Sequence, residues 1–290
     1  VLPRIAEVIR LKRGDHLLLT REQVPGRAAQ LDSAGHLIYP ASIACLTPEI
    51  FDHVQPGERV LFDDGRIGGV IHSVNADHLV VEITQACDTG EKLLADKGIN
   101  LPDTHLELSG LTVRDIEHLA FIVEHADIVG LSFVQHSADI ELLQDHLQQF
   151  GGQKLGIMIK IETRAAFEQL PELLLTLLRW PAVGVMIARG DLAVECGYER
   201  LAELQEEILW LSEAAHVPVI WATQVLETLV KSGKPSRAEV TDAAMSERAE
   251  CVMLNKGAHI IKAIAVLDNI LQRMQAHQRK KSALLKRLHW

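Results

Sequence analysis

The stretch Lys160-Ile161-Glu162 closes an apolar run, residues 155–159 (LGIMI), and a second run, residues 183–187 (VGVMI), closes in Ala188-Arg189-Gly190-Asp191. Short apolar runs of this composition read as buried strands, and the interval between them holds one helix. Two carboxylates, Glu162 and Asp191, therefore stand at the ends of successive strands. Such a pair can share one divalent cation. Hard oxygen ligands suit magnesium or manganese, which take one or two protein carboxylates together with substrate oxygens. Lys160 and Arg189 beside them suit a phosphorylated or carboxylated substrate. Asp191 also fits a helix N-cap, and Arg189-Gly190 can offer backbone amides to an anion at a helix N-terminus.

Working outward, residues 127–133 (DIVGLSF), 217–221 (VPVIW) and 250–254 (ECVML) read as further strands. Helical patterning falls at 113–125, 138–149, 164–178, 199–215, 224–231, 237–248 and 258–277. Thr112-x-x-Asp115 loosely resembles a capping box and Ser236-x-x-Glu239 is a proper one. Alternating strands and helices predict an α/β fold with a parallel sheet under helical cover. The strands recur at about 31 residues, the interval of a (β/α)8 barrel. Ser132, Lys160, Glu162, Asp191, Thr223 and Asn255 all fall at strand C-terminal ends, where such barrels keep their active sites. Five units are visible. Either the sheet is open, or the first three strands lie outside this chain.

Before residue 106 the pattern is β-rich. Residues 59–62 and 67–74 flank Asp63-Asp64-Gly65, a tight-turn sequence; Asn75-Ala76-Asp77 makes the next turn and 78–84 the next strand. Residues 17–20 and 37–39 are shorter candidates, and 96–102 (DKGINLP) reads as a linker. Short strands between turn signals predict a small barrel or sandwich.

Each candidate residue has a plainer reading. Lys160 can be an ion-pair partner of the carboxylates, and Ser132 and Thr223 can be helix caps. Asp63-Asp64-Gly65 can be only a hairpin turn. The 14 histidines carry no metalloprotease spacing, and the basic tail, residues 279–287, reads as a solvated helix end. Cys45, Cys87, Cys196 and Cys251 form no Cys-x-x-Cys pair and read as buried small apolar residues in a reducing, cytoplasmic setting. A net charge of −10 argues against nucleic acid or an anionic membrane as partner. No apolar run reaches the roughly 20 residues of a membrane span. The chain opens on Val1 rather than Met, so we expect it to begin inside a longer gene product.

Taken in order, these residues resemble the pyruvate kinase family. Asp63-Asp64-Gly65 is similar to the turn of that family's β-barrel lid, and Lys97-Gly98-Ile99-Asn100-Leu101-Pro102 to the return from the lid. Leu131-Ser132-Phe133 resembles the fourth barrel strand, and Ile159-Lys160-Ile161-Glu162 the strand bearing the catalytic lysine and first metal carboxylate. Ala188-Arg189-Gly190-Asp191-Leu192 matches the signature with the second carboxylate; Ala222-Thr223-Gln224 and Pro235-Ser236-Arg237-Ala238-Glu239 follow. The resemblance implies units 4 to 8 of a TIM (β/α)8 barrel in residues 106–290, preceded by a small β-barrel lid in 1–105. It implies phosphoryl transfer between phosphoenolpyruvate and ADP, giving pyruvate and ATP. Lys160 would stabilise the moving phosphoryl group, and Glu162 and Asp191 would hold Mg2+ or Mn2+. Backbone groups from Ala188 to Asp191 would cradle the substrate carboxylate, and Thr223 would sit near the carbon that takes a proton. Potassium is a further expected ion.

The departures are specific. Ala193 stands where the family has glycine, and Asn255-Lys256-Gly257 where it runs Ser-Gly-Glu-Thr. The nucleotide-side motif, the first three strands and the C-terminal regulatory domain have no counterpart, so an upstream segment, a second polypeptide or an oligomer is expected to complete the barrel. Two other readings stand beside this one: a metal-dependent aldolase or lyase acting on pyruvate enolates, and a non-catalytic interaction protein that keeps the fold.

Overall fold

A computed structural model describes residues 8–106 and 108–275. The chain divides into two compact units, Val1–Leu108 and Ser109–Trp290. The basic tail at 279–287 lies outside the described residues.

The first unit contains β1 (Ile9–Leu11), β2 (His16–Thr20), β3 (Gln30–Leu31), β4 (Leu37–Tyr39), β5 (Ala41–Ala44), β6 (Arg59–Phe62), β7 (Ile67–Val74), β8 (His78–Gln85), β9 (Glu91–Leu93) and β10 (Ile99–Asn100). Six of them form one sheet in the order β10-β6-β7-β8-β2-β5. Strict alternation drives it: Leu17, Leu19, Leu79, Val81 and Ile83 point inward and are buried, while their neighbours face out. Residues 59–62 and 67–74 pair as a hairpin with Phe62 opposite Ile67. Asp63, Asp64 and Gly65 all take left-handed backbone at that turn, as tight hairpin turns require. Residues 96–102 are not merely a linker. Ile99 and Asn100 pair with Phe62 and Leu61, because an edge strand beside β6 satisfies backbone groups that a free linker would leave to water. The strands β1, β3, β5 and β9 escaped the sequence reading; they are two to four residues long, too short to show a period.

Gly69 marks the tightest point of this sheet. A Cβ there would lie 2.5 Å from Val81 Cγ1 and 2.7 Å from the Glu82 carbonyl oxygen. The backbone of β8 cannot retreat without breaking its ladder. Gly69→Ala is expected to destabilise this unit by about 1–3 kcal/mol, measured by urea unfolding.

The second unit alternates: α1 (Val113–His125), β11 (Ile128–Leu131), α2 (Ser137–Gln149), β12 (Gly156–Ile161), α3 (Arg164–Glu168), α4 (Leu170–Leu177), β13 (Val183–Ala188), α5 (Arg189–Cys196), α6 (Leu201–Ala214), β14 (Val219–Val225), α7 (Glu227–Ser232), α8 (Arg237–Met245), β15 (Cys251–Leu254) and α9 (Ile260–Met274). Both expected capping boxes form, at Thr112 with Asp115 and at Ser236 with Glu239. The helix expected at 164–178 is two helices, with Pro171 opening the second turnwise segment; that at 224–231 starts later because β14 runs to Val225.

All five strands pair in parallel in chain order, β11-β12-β13-β14-β15, in a sheet curled like half a barrel. Crossovers between parallel strands are right-handed almost without exception, so strands that keep one order are expected to carry their helices on one face. Burial records this. Along β12, Ile157, Ile159 and Ile161 are fully buried beneath the helices, while Gly156, Met158 and Lys160 between them are half-buried on the opposite face. The core of the unit lies on the helical side, built from Ile159, Val185, Ile187, Leu204, Ile208, Trp221 and Leu229 among others. No described helix is long and apolar enough to cross a membrane. Of the cysteines expected to be buried, Cys45 is, Cys196 is partly so, and Cys87 and Cys251 are exposed. Cys251 opens the outermost strand, with no neighbour beyond it among the described residues.

Candidate active site

Lys160 is the last open-face residue of β12, and its position follows from register. Alternation that buries Ile159 and Ile161 sends Lys160 to the half-covered face, where its ammonium stays reachable. There Nζ donates to Ser132 Oγ at 3.0 Å and meets Glu162 Oε1 at 2.7 Å. Ser132 comes from the end of β11, the adjacent strand, so parallel pairing of Leu131 with Ile159 is what brings the two side chains together.

Glu162 is only 2% exposed. Its second oxygen, Oε2, accepts the Phe133 backbone N–H at 2.5 Å. Phe133 takes a left-handed backbone, φ 51°, which turns that amide inward. Burial pushes the Glu162 carboxyl above the usual glutamate range; the Lys160 ammonium and the Phe133 amide pull it back, and the negative charge of Asp191 pushes it up again. Asp191 is thus close enough to be felt at Glu162, across from β12 to the start of α5.

The signature Ala188-Arg189-Gly190-Asp191 occupies the end of β13 and the first turn of α5. Asp191 is inside that first turn and Ala188 is the N-cap, so Asp191 does not cap the helix. The Gly190 N–H donates to Thr223 Oγ1 at 2.9 Å. Thr223 is within β14, not at a helix start; Leu226 caps α7. Thr223 and Gln224 both have left-handed backbone, φ 64° and 56°, at the point where β14 slips register against β15. For a β-branched residue this is an outlier that costs on the order of 1 kcal/mol or more and persists only where its surroundings hold it.

Arg189 does not do what its position suggested. Its guanidinium turns back into the unit, buried over the Trp221 ring at 4.8 Å and ion-paired to Asp242 of α8. It also donates to the carbonyls of Ala222 at 2.8 Å and Thr223 at 2.5 Å. Every nitrogen is engaged, so an anionic substrate cannot claim the side chain; the backbone of 188–191 is what remains to meet one. The physical reason is the strand register, which sends Arg189 to the helical side once Ala188 ends the strand. Sequence reading missed Asp242, Trp221 and the Phe133 amide. The first two sit far from Arg189 in sequence, and a backbone amide leaves no residue-type signal; the Phe133 position alone was legible, within Leu131-Ser132-Phe133.

The structure therefore brings Ser132, Lys160 and Glu162 into direct contact, couples Asp191 to them through charge, and links Gly190 to Thr223. Among the described residues no three His, Cys, Asp or Glu side chains form a metal cage. Two carboxylates close enough to feel each other's charge, with only one or two ligands to offer, are the donor set of a hard cation that retains water.

Comparison with known proteins identifies the family. The family model described as the pyruvate kinase barrel domain matches residues 7–260. A pyruvate kinase of Agrobacterium vitis is 35% identical over 237 residues, 79% of this chain and 46% of that protein. Pyruvate kinases of Chlamydia pneumoniae and Thermotoga maritima are 31% and 30% identical, over 93% and 91% of this chain and 53% of each relative. The chain spans about half the length of the curated relatives it matches. A family match running through Ser132, Lys160, Glu162, Asp191 and Thr223, over residues whose strand register converges three of them on one point, places this chain in the pyruvate kinase family.

Proposed function

We propose that the chain carries the phosphoenolpyruvate half of a pyruvate kinase-like active site. The observation that supports this most is the contact of Lys160 with both Ser132 and Glu162 at adjacent parallel strand ends. In the reaction, the bond from phosphorus to the enol oxygen of phosphoenolpyruvate breaks, a bond forms from phosphorus to a terminal oxygen of the ADP β-phosphate, and the enolate carbon takes a proton to give pyruvate. Charge develops on the equatorial phosphoryl oxygens and on the enolate oxygen. Lys160, already oriented by two partners, offers fixed positive charge there without reorganisation. Backbone groups at the start of α5, apart from the Gly190 amide already given to Thr223, would meet the substrate carboxylate. The Thr223 hydroxyl accepts from Gly190 and so keeps its own proton available toward the reacting carbon. Glu162 and Asp191 would hold Mg2+ or Mn2+, which supplies charge neutralisation at the enolate and phosphoryl oxygens.

The N-terminal unit is read as the counterpart of the family's β-barrel lid, and the parallel sheet as units 4 to 8 of a (β/α)8 barrel. Support comes from the half-covered face of β12 and from Ile128, 60% exposed on the outermost strand β11. A parallel sheet is stable when both faces are covered. We therefore infer that further βα units, from elsewhere in the gene product or from another polypeptide, cover that face and supply the nucleotide side.

The test is calorimetry of the folded chain with phosphoenolpyruvate, with and without Mn2+, followed by 31P NMR after ADP is added. Metal-dependent binding that Lys160→Met weakens supports the reading, and transfer to ADP extends it to this chain alone. A folded chain that binds phosphoenolpyruvate no better with metal than without overturns it.

A further inference from the structure

We propose that Arg189 and Asp242 act as a positioning pair for Thr223, holding the strained strand end that aims its hydroxyl. The geometry runs in one line. Asp242, on α8, takes both outer nitrogens of Arg189, the second at 3.0 Å. The fork so fixed lies over Trp221 and donates to two successive carbonyls, those of Ala222 and Thr223. Those carbonyls belong to the two peptides on either side of the Thr223 Cα, so holding both fixes the backbone at φ 64°. Thr223 Oγ1 then receives the Gly190 N–H at 2.9 Å, which ties the hydroxyl to the first turn of α5. A planar, five-donor guanidinium can satisfy two carbonyls and a carboxylate at once; an ammonium cannot. The pair is spent on the backbone of one residue. The catalytic consequence rests on the function proposed above, whereas the positioning itself does not.

Two measurements separate these. Hydrogen exchange of the Gly190 amide reports the Thr223 hydroxyl without any substrate, and Thr223→Val sets the value for complete loss of that bond. Asp242→Asn, which keeps the shape of the side chain, and Arg189→Lys are each expected to lower Gly190 protection about tenfold or more, while the amides of β12 stay protected. Unchanged Gly190 protection in both variants overturns the proposal. The second measurement is Mn2+-dependent exchange of pyruvate methyl protons with D2O, which needs no nucleotide. Misaiming the hydroxyl is expected to lower kcat for this exchange about ten- to a hundredfold, with KM for pyruvate and Mn2+ affinity within about twofold of wild type. Asp242→Asn added to Thr223→Val should cost nothing further, because both act through one hydroxyl; additive losses count against the pair. A wild-type chain that exchanges no methyl protons would overturn the proposed function, and Gly190 protection alone would then decide the positioning role.

Discussion

On the function proposed above, replacing Lys160 by methionine is expected to remove most of the charge stabilisation at the phosphoryl and enolate oxygens and, separately, to make the protein's stability fall more steeply as pH rises. The catalytic loss follows from position. A preorganised donor aimed at developing charge is worth about a hundred- to a thousandfold in rate. Methionine keeps an unbranched stem of similar length and removes the charge. The stability effect comes from what is left behind. Glu162 is buried, and in the wild type Lys160 is the cation that offsets its desolvation. Without the ammonium, the folded-state carboxyl moves further above its unfolded value. Below the unfolded glutamate pKa both states hold the proton, and the substitution costs little. As pH rises from there toward the raised folded value, the unfolded chain sheds a proton that the native state retains. Unfolding is then favoured, and the penalty persists above that window. Removing a charged hydrogen-bond partner from a buried group costs about 1–3 kcal/mol; Lys160 keeps a quarter of its side chain in water, so the lower half of that range applies. Urea unfolding of metal-free protein at pH 4 and pH 7.5 measures the difference. Equal destabilisation at both values would mean that Glu162 is not held by Lys160.

How far this site could be read in advance depends on the kind of interaction. Lys160, Glu162 and Ser132 were legible because each follows a buried apolar run, and in a parallel sheet strand ends converge by register alone. The five strands and most helices were legible for a similar reason: patterns of 155–161 or 113–125 are long enough to show a period. The first unit was clear at Asp63-Asp64-Gly65, where backbone chemistry is encoded in residue type. It was opaque at β1 and β9, whose pairing is decided by tertiary contact. The side-chain contacts of Arg189 were not legible because its residue type fits both an anion site and a buried clamp. Choosing between them requires Asp242, 53 residues further along the chain. Alternation along β12 was hidden for a different reason. The sequence reads as continuously apolar, as strands covered on both faces do, yet among the described residues one face of β12 is buried and the other only half-buried.

On the metal pair proposed above, Glu162→Gln is expected to remove most metal-linked stabilisation while leaving the fold intact. A ligand set of two carboxylates has no redundancy, so losing one should cost at least about a hundredfold in affinity, the upper end seen for groups that merely support a ligand. With Mn2+ at a hundred times its dissociation constant, the wild type should gain about 2.7 kcal/mol; at the same concentration the variant should gain only about 0.4 kcal/mol. Asp191→Asn should behave alike if the two carboxylates share the ion. Proton linkage distinguishes their roles. Metal and proton compete for Glu162, whose carboxyl burial has raised, so wild-type affinity should fall as pH drops through that raised value. Asp191→Asn keeps Glu162 and should keep this dependence in whatever binding remains. Glu162→Gln should lose it. The glutamine cannot satisfy both neighbours, since the Lys160 ammonium and the Phe133 amide each need an acceptor and the side chain now offers one. The metal-free variant should therefore gain little from losing a buried charge, and its stability should be flat with pH where the wild type's declines. Thermal unfolding with and without Mn2+, between pH 5 and pH 8, reads all of these at once. A variant that Mn2+ stabilises as strongly as the wild type would remove Glu162 from the proposed metal pair and leave the ion pair with Lys160 as its role.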